Sequence, residues 1–380
     1  MTGYQICSRC ICDTSISSIL FNEKGTCNFC ENYDLINNDF PEKKDTEIAI
    51  RKIAESIKNE RKGSEYDCVV GLSGGTDSTY CLYYSTKILG LRPLAVHFDD
   101  GWNSEIAVNN IQNAITNLDV DLHTYVVDWE EFKDLQLSVL KSSTPDLEGP
   151  TDHGITSALY QVASEQGIRH ILIGSCFKTE GKMPSCWGYA DGKYLKNLHK
   201  MFGKIPLKTY PNMMLSDIVN YNSIKRIKAI KPLYYIPYHK KEIKKLLERE
   251  LRWKDYGGHH YESTYTRFVE GYILPRKFGI DKRRIEFSAL IRSGQITREE
   301  ALTKIAELPY PEDKMKEDKL YFVKKFGITM EEFEAILKQP PKSYKDYPSY
   351  YPLFYKLRTF INLGYKMGIL PTRFYGTIDY

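Results

Sequence analysis

The sequence predicts an α/β protein built on a doubly wound parallel sheet, with a small four-cysteine module before it and a mostly helical region after it. Three observations point there. Short apolar runs alternate with segments of helical period, the pattern of strands joined by crossover helices. One run ends in the glycine turn Ser73-Gly74-Gly75-Thr76-Asp77-Ser78 and leads into a helical segment. Two close pairs, Cys7 with Cys10 and Cys27 with Cys30, stand near the N-terminus with sixteen residues between them.

The chain of 380 residues is long enough for more than one domain. It divides into a cysteine module over 1–40, a nucleotide-type domain over 41–215 and a helical region over 216–380. A hydrophobic share of 42% with 27% charged residues is ordinary for a soluble globular protein. A formal charge of +4 is too weak for a nucleic-acid footprint, although Lys and Arg become dense after about Lys193. No apolar run is long enough to span a bilayer, and the first residues have neither a basic nor an apolar leader region, so the expected setting is the cytoplasm without a membrane anchor. The 29 tyrosines and 16 phenylalanines fit an aromatic-rich core or a lined groove, and the core is favoured because aromatics dominate interiors.

Taken in order, the two cysteine pairs fit a pair of knuckles that supply four thiolates to one tetrahedral zinc ion. Two disulfides are the other possibility, disfavoured in a reducing cytoplasm. Cys12 is a spare thiol beside a filled set. Residues 37–44 read as a polar linker and 46–62 as an amphipathic helix with Ile48, Ile53 and Ile57 on one side. Cys68-Val69-Val70-Gly71-Leu72 is the first strand. The turn after it can cradle a phosphate, because glycine backbone approaches an anion closely and helix N-terminal N–H groups point at it. The Lys of the Walker loop is missing, and an ordinary strand-to-helix turn stays open on the motif alone.

Further strands are expected over 94–98, 122–127 and 171–175, with helices starting at Ser104 and covering 129–140 and 151–165. Ligands of such sheets sit beyond the carboxyl ends of the strands, and three of those exits are polar: 73–78, 99–102 and 174–180. Later helices are expected over 238–253, after capping boxes at Thr297/Glu300 and Thr329/Glu332, and, past Pro340-Pro341, over 351–365.

The strand, SGGTDS turn and helix resemble the PP-loop ATP pyrophosphatases, an adenine nucleotide alpha hydrolase-like fold. The closer resemblance, over nearly the whole chain, is to the N-acetyl sugar amidotransferases of surface-glycan biosynthesis. It is carried by the cysteine knuckles, Asp99-Asp100-Gly101-Trp102-Asn103-Ser104, Pro145-Asp146, Thr151-Asp152-His153, Thr179-Glu180-Gly181, Trp253-Lys254-Asp255-Tyr256-Gly257-Gly258 and the run from Leu274 to Arg284. Gly258-His259-His260-Tyr261-Glu262 is similar to that family's Gly-x-His-x-Glu.

The resemblance implies ATP-dependent conversion of an N-acetyl group to an acetamidino group, for lipopolysaccharide or pseudaminic- and legionaminic-type glycans. ATP, Mg²⁺ and Zn²⁺ are the implied cofactors. Ammonia would come from a separate glutaminase subunit with a cyclase-like partner, since no glutaminase nucleophile can be fitted to this chain. Ser73, Gly74, Gly75, Thr76 and Ser78 are assigned to the pyrophosphate cradle, and Gly174 to the neighbouring exit. Asp77 is either a Mg²⁺ contact or a carboxylate favoured by the helix dipole.

By the same resemblance Asp99 lies near adenosine, and Asp146, Asp152 and Glu180 surround substrate or metal. Lys282 and Arg283 are candidates for charge on pyrophosphate or on a nucleotide-linked sugar, against a merely solvated run Lys282-Arg283-Arg284. His153, His259 and His260 are candidate proton carriers. Two rivals remain: a tRNA-thiolating enzyme, which needs a further thiol set from Cys81, Cys176 and Cys186, and a non-catalytic zinc-binding adaptor.

Overall fold

The computed structural model describes residues 3–41, 44–258 and 260–366. Five parallel strands form one sheet: β1 (Cys68–Gly71), β2 (Pro93–Asp99), β3 (Leu122–Val126), β4 (His170–Leu172) and β5 (Lys228–Ile230), in the order β3-β2-β1-β4-β5. The order reverses between β1 and β4, so the crevice of a doubly wound sheet opens there. Strand period two sorts the core. Cys68 and Val70 face the helices Lys44–Glu60, Thr76–Tyr83, Glu105–Leu118 and Lys240–Leu251, while Val69 faces Gly149–Glu165.

The four expected strands and their crossover helices form within a few residues of the predicted limits. Ser104 and Asp128 cap their helices by accepting from the Ala107 and Glu131 N–H groups, and both Thr–Glu capping boxes close as expected. Three differences have physical causes. The 37–44 linker begins later, because the helix Asn28–Asp39, capped at Cys27, runs into it. β5 comes from the segment expected to be helical; its three residues are too short to show alternation. The helix Gly192–Phe202 is a further unforeseen element, although Asp191 caps it by accepting from the Tyr194 N–H.

The carboxyl-terminal helices are fastened to the strand exits by aromatic packing, as the core reading expects. Trp102, just beyond β2, is buried and touches Tyr265, Phe322 and Phe326, with its indole N–H donating to Gln136 at 2.9 Å. Burying a side chain of this kind contributes about 1.5–3 kcal/mol.

The cysteine module docks on the helix Arg283–Arg292 and the start of the next. Arg284 pairs with Asp13 at 2.9 Å and donates to the Ile11 carbonyl, Arg292 donates to the Phe29 carbonyl, and Arg298 donates to those of Cys10 and Cys7. Among the described residues no helix is long and apolar enough to cross a membrane.

Candidate active site

A cavity of about 530 Å³ lies at the carboxyl ends of β1, β2 and β4, at the crevice where the strand order reverses. Its floor is the glycine turn. Gly74 has φ +79°, and a Cβ there would sit 2.5 Å from the Ala107 carbonyl oxygen, so only glycine fits without displacing backbone. Its own carbonyl accepts from Trp253 Nε1 at 3.0 Å and Asn110 Nδ2 at 3.3 Å, which fixes the turn. A Cβ at Gly174 would meet the Asp77 carbonyl oxygen and Ser78 Cα at 2.6 Å. That contact brings the exit of β4 directly against the cradle.

The N–H groups of the turn are held by hydroxyls. Ser73 donates to Ser78 Oγ at 3.1 Å, Gly75 to Ser73 Oγ at 3.3 Å and Thr76 to Tyr256 Oη at 3.2 Å. A phosphate oxygen is the stronger acceptor for the same donors, and the helix Thr76–Tyr83 adds its positive end. The walls are acidic: among the described residues Asp100, Glu148, Asp152, Glu180, Glu262, Glu270 and Glu286 line the cavity with Lys282 and His260, and Lys240 reaches Glu286 from behind at 3.7 Å. Such a cavity accepts a polyphosphate only with cations beside it.

Electrostatics follow from this crowding. Burial, then the charge of Asp77 within hydrogen-bonding reach, pushes Glu180 up to about 8. Burial pushes Glu148 up to about 8 as well, against the pull of Lys282. For His260 burial opposes the charge, but Glu262, whose Oε1 is 3.5 Å from Nδ1, and then Glu270 and Glu180 raise it to about 10. His97, desolvated and with Nδ1 2.9 Å from the Leu72 carbonyl, is pushed down.

All three raised groups bind protons more tightly folded than unfolded. Their stabilisation is complete below the unfolded values of 4.5 for the glutamates and 6.5 for the histidine, and is lost as pH rises through about 8 and about 10. The melting temperature of the ligand-free chain is therefore expected to fall between about pH 6 and about pH 9, less steeply in Glu180→Gln. A flat or rising profile by differential scanning fluorimetry contradicts this.

The cavity brings together Ser73, Ser78, Asp152, Gly174, Glu180 and Lys282. Gly74, Gly75 and Thr76 form the turn beneath it. Asp77 accepts from Tyr238 Oη and faces Lys240 as well as Glu180. Lys282 is paired with Glu270 at 2.8 Å.

Three expected residues stand elsewhere. Asp99 accepts from Gly101 N–H and Asn103 Nδ2, leaving its neighbour Asp100 to face the cavity. Asp146 is buried beside Thr144 and Tyr194, off the lining. Arg283 forks onto Asp281 and donates to the Glu307 and Ile305 carbonyls, lining a neighbouring cavity.

Of the histidines, His260 lines the cavity, His153 is buried off it, and His259 lies outside the described residues. Lys282-Arg283-Arg284 is not a solvated run, since each member has a separate protein partner. Sequence reasoning missed His97, Asp100, Glu148, Glu270, Glu286, Tyr238 and Lys240. Asp100 lay inside a quoted motif, as did Glu262, to which the sequence had assigned no role.

The four thiols of Cys7, Cys10, Cys27 and Cys30 are buried, with all Sγ atoms within 4.8 Å of one another. The Cys7–Cys30, Cys10–Cys27 and Cys27–Cys30 separations are 3.9, 3.7 and 3.7 Å. A tetrahedral zinc ion with Zn–S of about 2.3 Å has S···S edges of about 3.8 Å, so the set fits zinc. Cys12 stands outside it, its thiol directed to Ser288 Oγ. Among the described residues Cys81, Cys176 and Cys186 do not converge with other ligands into a metal-type group.

No curated protein matches the chain. Similar solved structures include a predicted subunit of tRNA methyltransferase from Methanocaldococcus jannaschii, 16% identical over 47% of this chain and 74% of that one, TM-score 0.28. Another is NMN synthetase from Francisella tularensis, 16% identical over 53% of this chain and 86% of that one, TM-score 0.27. Likeness at that level says nothing of activity. Residues 262–360, which contribute Glu262, Glu270, Lys282 and Glu286 to the cavity, are similar to the family described as the C-terminal domain of WbpG-like lipopolysaccharide (LPS) biosynthesis proteins.

Proposed function

We propose that the chain is an ATP-dependent amidotransferase that converts the N-acetyl group of a sugar to an acetamidino group in surface-glycan biosynthesis. One observation carries this reading. A single cavity is walled on one side by a phosphate-type cradle and on the other by the segment similar to a lipopolysaccharide biosynthesis domain.

An amide oxygen is a poor leaving group, and adenylation changes that. The amide oxygen attacks the α-phosphorus of ATP, and its bond forms as the bond to pyrophosphate breaks. Ammonia adds to the activated carbon, and AMP departs with the former amide oxygen. The product amidine retains one proton at neutral pH, and carboxylates of the wall accept the proton that the nitrogen releases.

Charge builds on phosphate oxygens, so this chain's task is positioning and electrostatic stabilisation. The turn N–H groups and the start of the helix Thr76–Tyr83 hold the leaving diphosphate. Lys282, kept charged by Glu270 and Glu148, balances charge at the wall. Asp77 and Glu180 fit a Mg²⁺ ion, because an acid raised to about 8 beside a second carboxylate exchanges its proton for a cation. When bound, that ion would neutralise phosphate charge. Ammonia would be supplied by a partner glutaminase with its cyclase-like subunit.

Pyrophosphate release in ATP, Mg²⁺ and ammonium tests the reading: N-acetyl sugars, free or nucleotide-linked, are expected to stimulate it and tRNA is not. Stimulation by tRNA alone overturns it.

A further inference from the structure

A second cavity, of about 400 Å³, opens between the helices Lys240–Leu251 and Arg283–Arg292. It shares Glu270, Lys282 and Glu286 with the first, so these side chains form a common wall. The charge reverses across that wall. Lys240, Lys241, Lys244, Lys282, Arg283 and Lys304 line the second cavity against Glu270, Glu286 and Glu307. Lys244 and Arg283 are paired outside the lining with Asp255 and Asp281, which leaves a formal excess of one positive charge, carried by Lys241 and Lys304 at the rim.

Two features mark the basic side chains as placed for an anion. Arg283 opens one helix but is already forked onto Asp281, whereas Lys240 and Lys241 open the other, a position where the helix dipole disfavours positive charge. A bound anion offsets that cost. Lys241 and Lys304 are exposed and, among the described residues, make no side-chain hydrogen bond or ion pair, with Glu300 at longer range. Lys240 belongs to both sides: its ammonium is 3.7 Å from Glu286 and also in the field of Asp77 and Glu180. The wall pairs Lys282–Glu270 and Lys240–Glu286 can each exchange a carboxylate for a phosphate oxygen.

We infer that the second cavity is a diphosphate-binding site next to the catalytic one, a site that rests on the ATP-cleaving reading above. Pyrophosphate formed beside the acidic wall is repelled by its ionised carboxylates and drawn past Lys240 and Lys282 toward the basic side. The diphosphate of a nucleotide-linked sugar offers the same chemistry, and the two sources are separable by experiment.

The test is the double variant Lys241→Ala/Lys304→Ala of the full chain, whose exposed side chains leave the fold intact by circular dichroism. Calorimetric titration with inorganic pyrophosphate is expected to show affinity lowered by about tenfold or more, while single-turnover AMP formation is unchanged. If product inhibition by pyrophosphate weakens alone, the site serves the leaving group. If the KM of a nucleotide-linked N-acetyl sugar rises and that of the free sugar does not, it serves the substrate's diphosphate. Unchanged pyrophosphate affinity with unchanged KM values overturns the site. The titration needs no turnover, so a chain that cleaves ATP with no acceptor would sink the amidotransferase reading while still reporting on this cavity.

Discussion

Gly74→Ala is expected to cut acceptor-dependent pyrophosphate release by roughly 10²- to 10³-fold, the scale on which preorganised oxyanion donors act. The residue holds φ +79°, where a non-glycine residue costs about 1–3 kcal/mol. The added methyl group would also lie 2.5 Å from the Ala107 carbonyl oxygen, so the turn or the helix Glu105–Leu118 must shift. Either movement breaks the Trp253 and Asn110 hydrogen bonds to the Gly74 carbonyl and misaims the N–H groups of Gly75 and Thr76. The measurement is coupled pyrophosphate detection with thermal denaturation as the control. A stably folded Gly74→Ala chain with near-normal release would mean that the turn does not grip the nucleotide.

Cys27→Ser is expected to have the largest effect on stability. Structural zinc sites contribute folding energy outright, and the four thiols here are packed at zinc spacing. Loss of the ion leaves three buried thiolates without their cation and loosens a module fastened through Arg284, Arg292 and Arg298. The helix Arg283–Arg292 carries Glu286 and is preceded by Lys282, both on the cavity wall. Metal loss therefore reaches the cavity wall. The melting temperature is expected to drop by several degrees, consistent with a loss of more than about 1 kcal/mol, and activity with it. Elemental analysis should find zinc in the parent chain and none in the variant. A parent chain that binds no zinc, or a variant of unchanged stability and activity, contradicts this account.

Much of the fold could be read from local pattern. β1, β2 and β3 alternate or run apolar between polar turns, and Thr297 and Thr329 announce their helices because capping is a short-range hydrogen bond. β5 escaped because Lys228-Ala229-Ile230 has no period to detect, and its place depends on pairing with β4.

The site divides the same way. The glycine turn and the cysteine pairs are local motifs, whereas Glu148, Glu270, Glu286 and Lys240 come from separate helices and meet only in the folded chain. Asp99 and Asp100 show the limit within a motif. Adjacent residues at a strand end point to opposite sides, and hydrogen bonds to Gly101 and Asn103 decide which carboxylate turns away.

The central claim is that the amide oxygen is adenylated in the cavity above the Ser73–Ser78 turn and leaves on AMP. The direct measurement uses an N-acetyl sugar carrying isotopically heavy oxygen in the acetamido group, incubated with ATP, Mg²⁺ and ammonium, with AMP and sugar read by mass spectrometry. The account predicts heavy oxygen in AMP, none in pyrophosphate, and a sugar in which oxygen has been replaced by nitrogen. Unlabelled AMP, or a sugar that keeps its heavy oxygen while ATP is consumed, would contradict it.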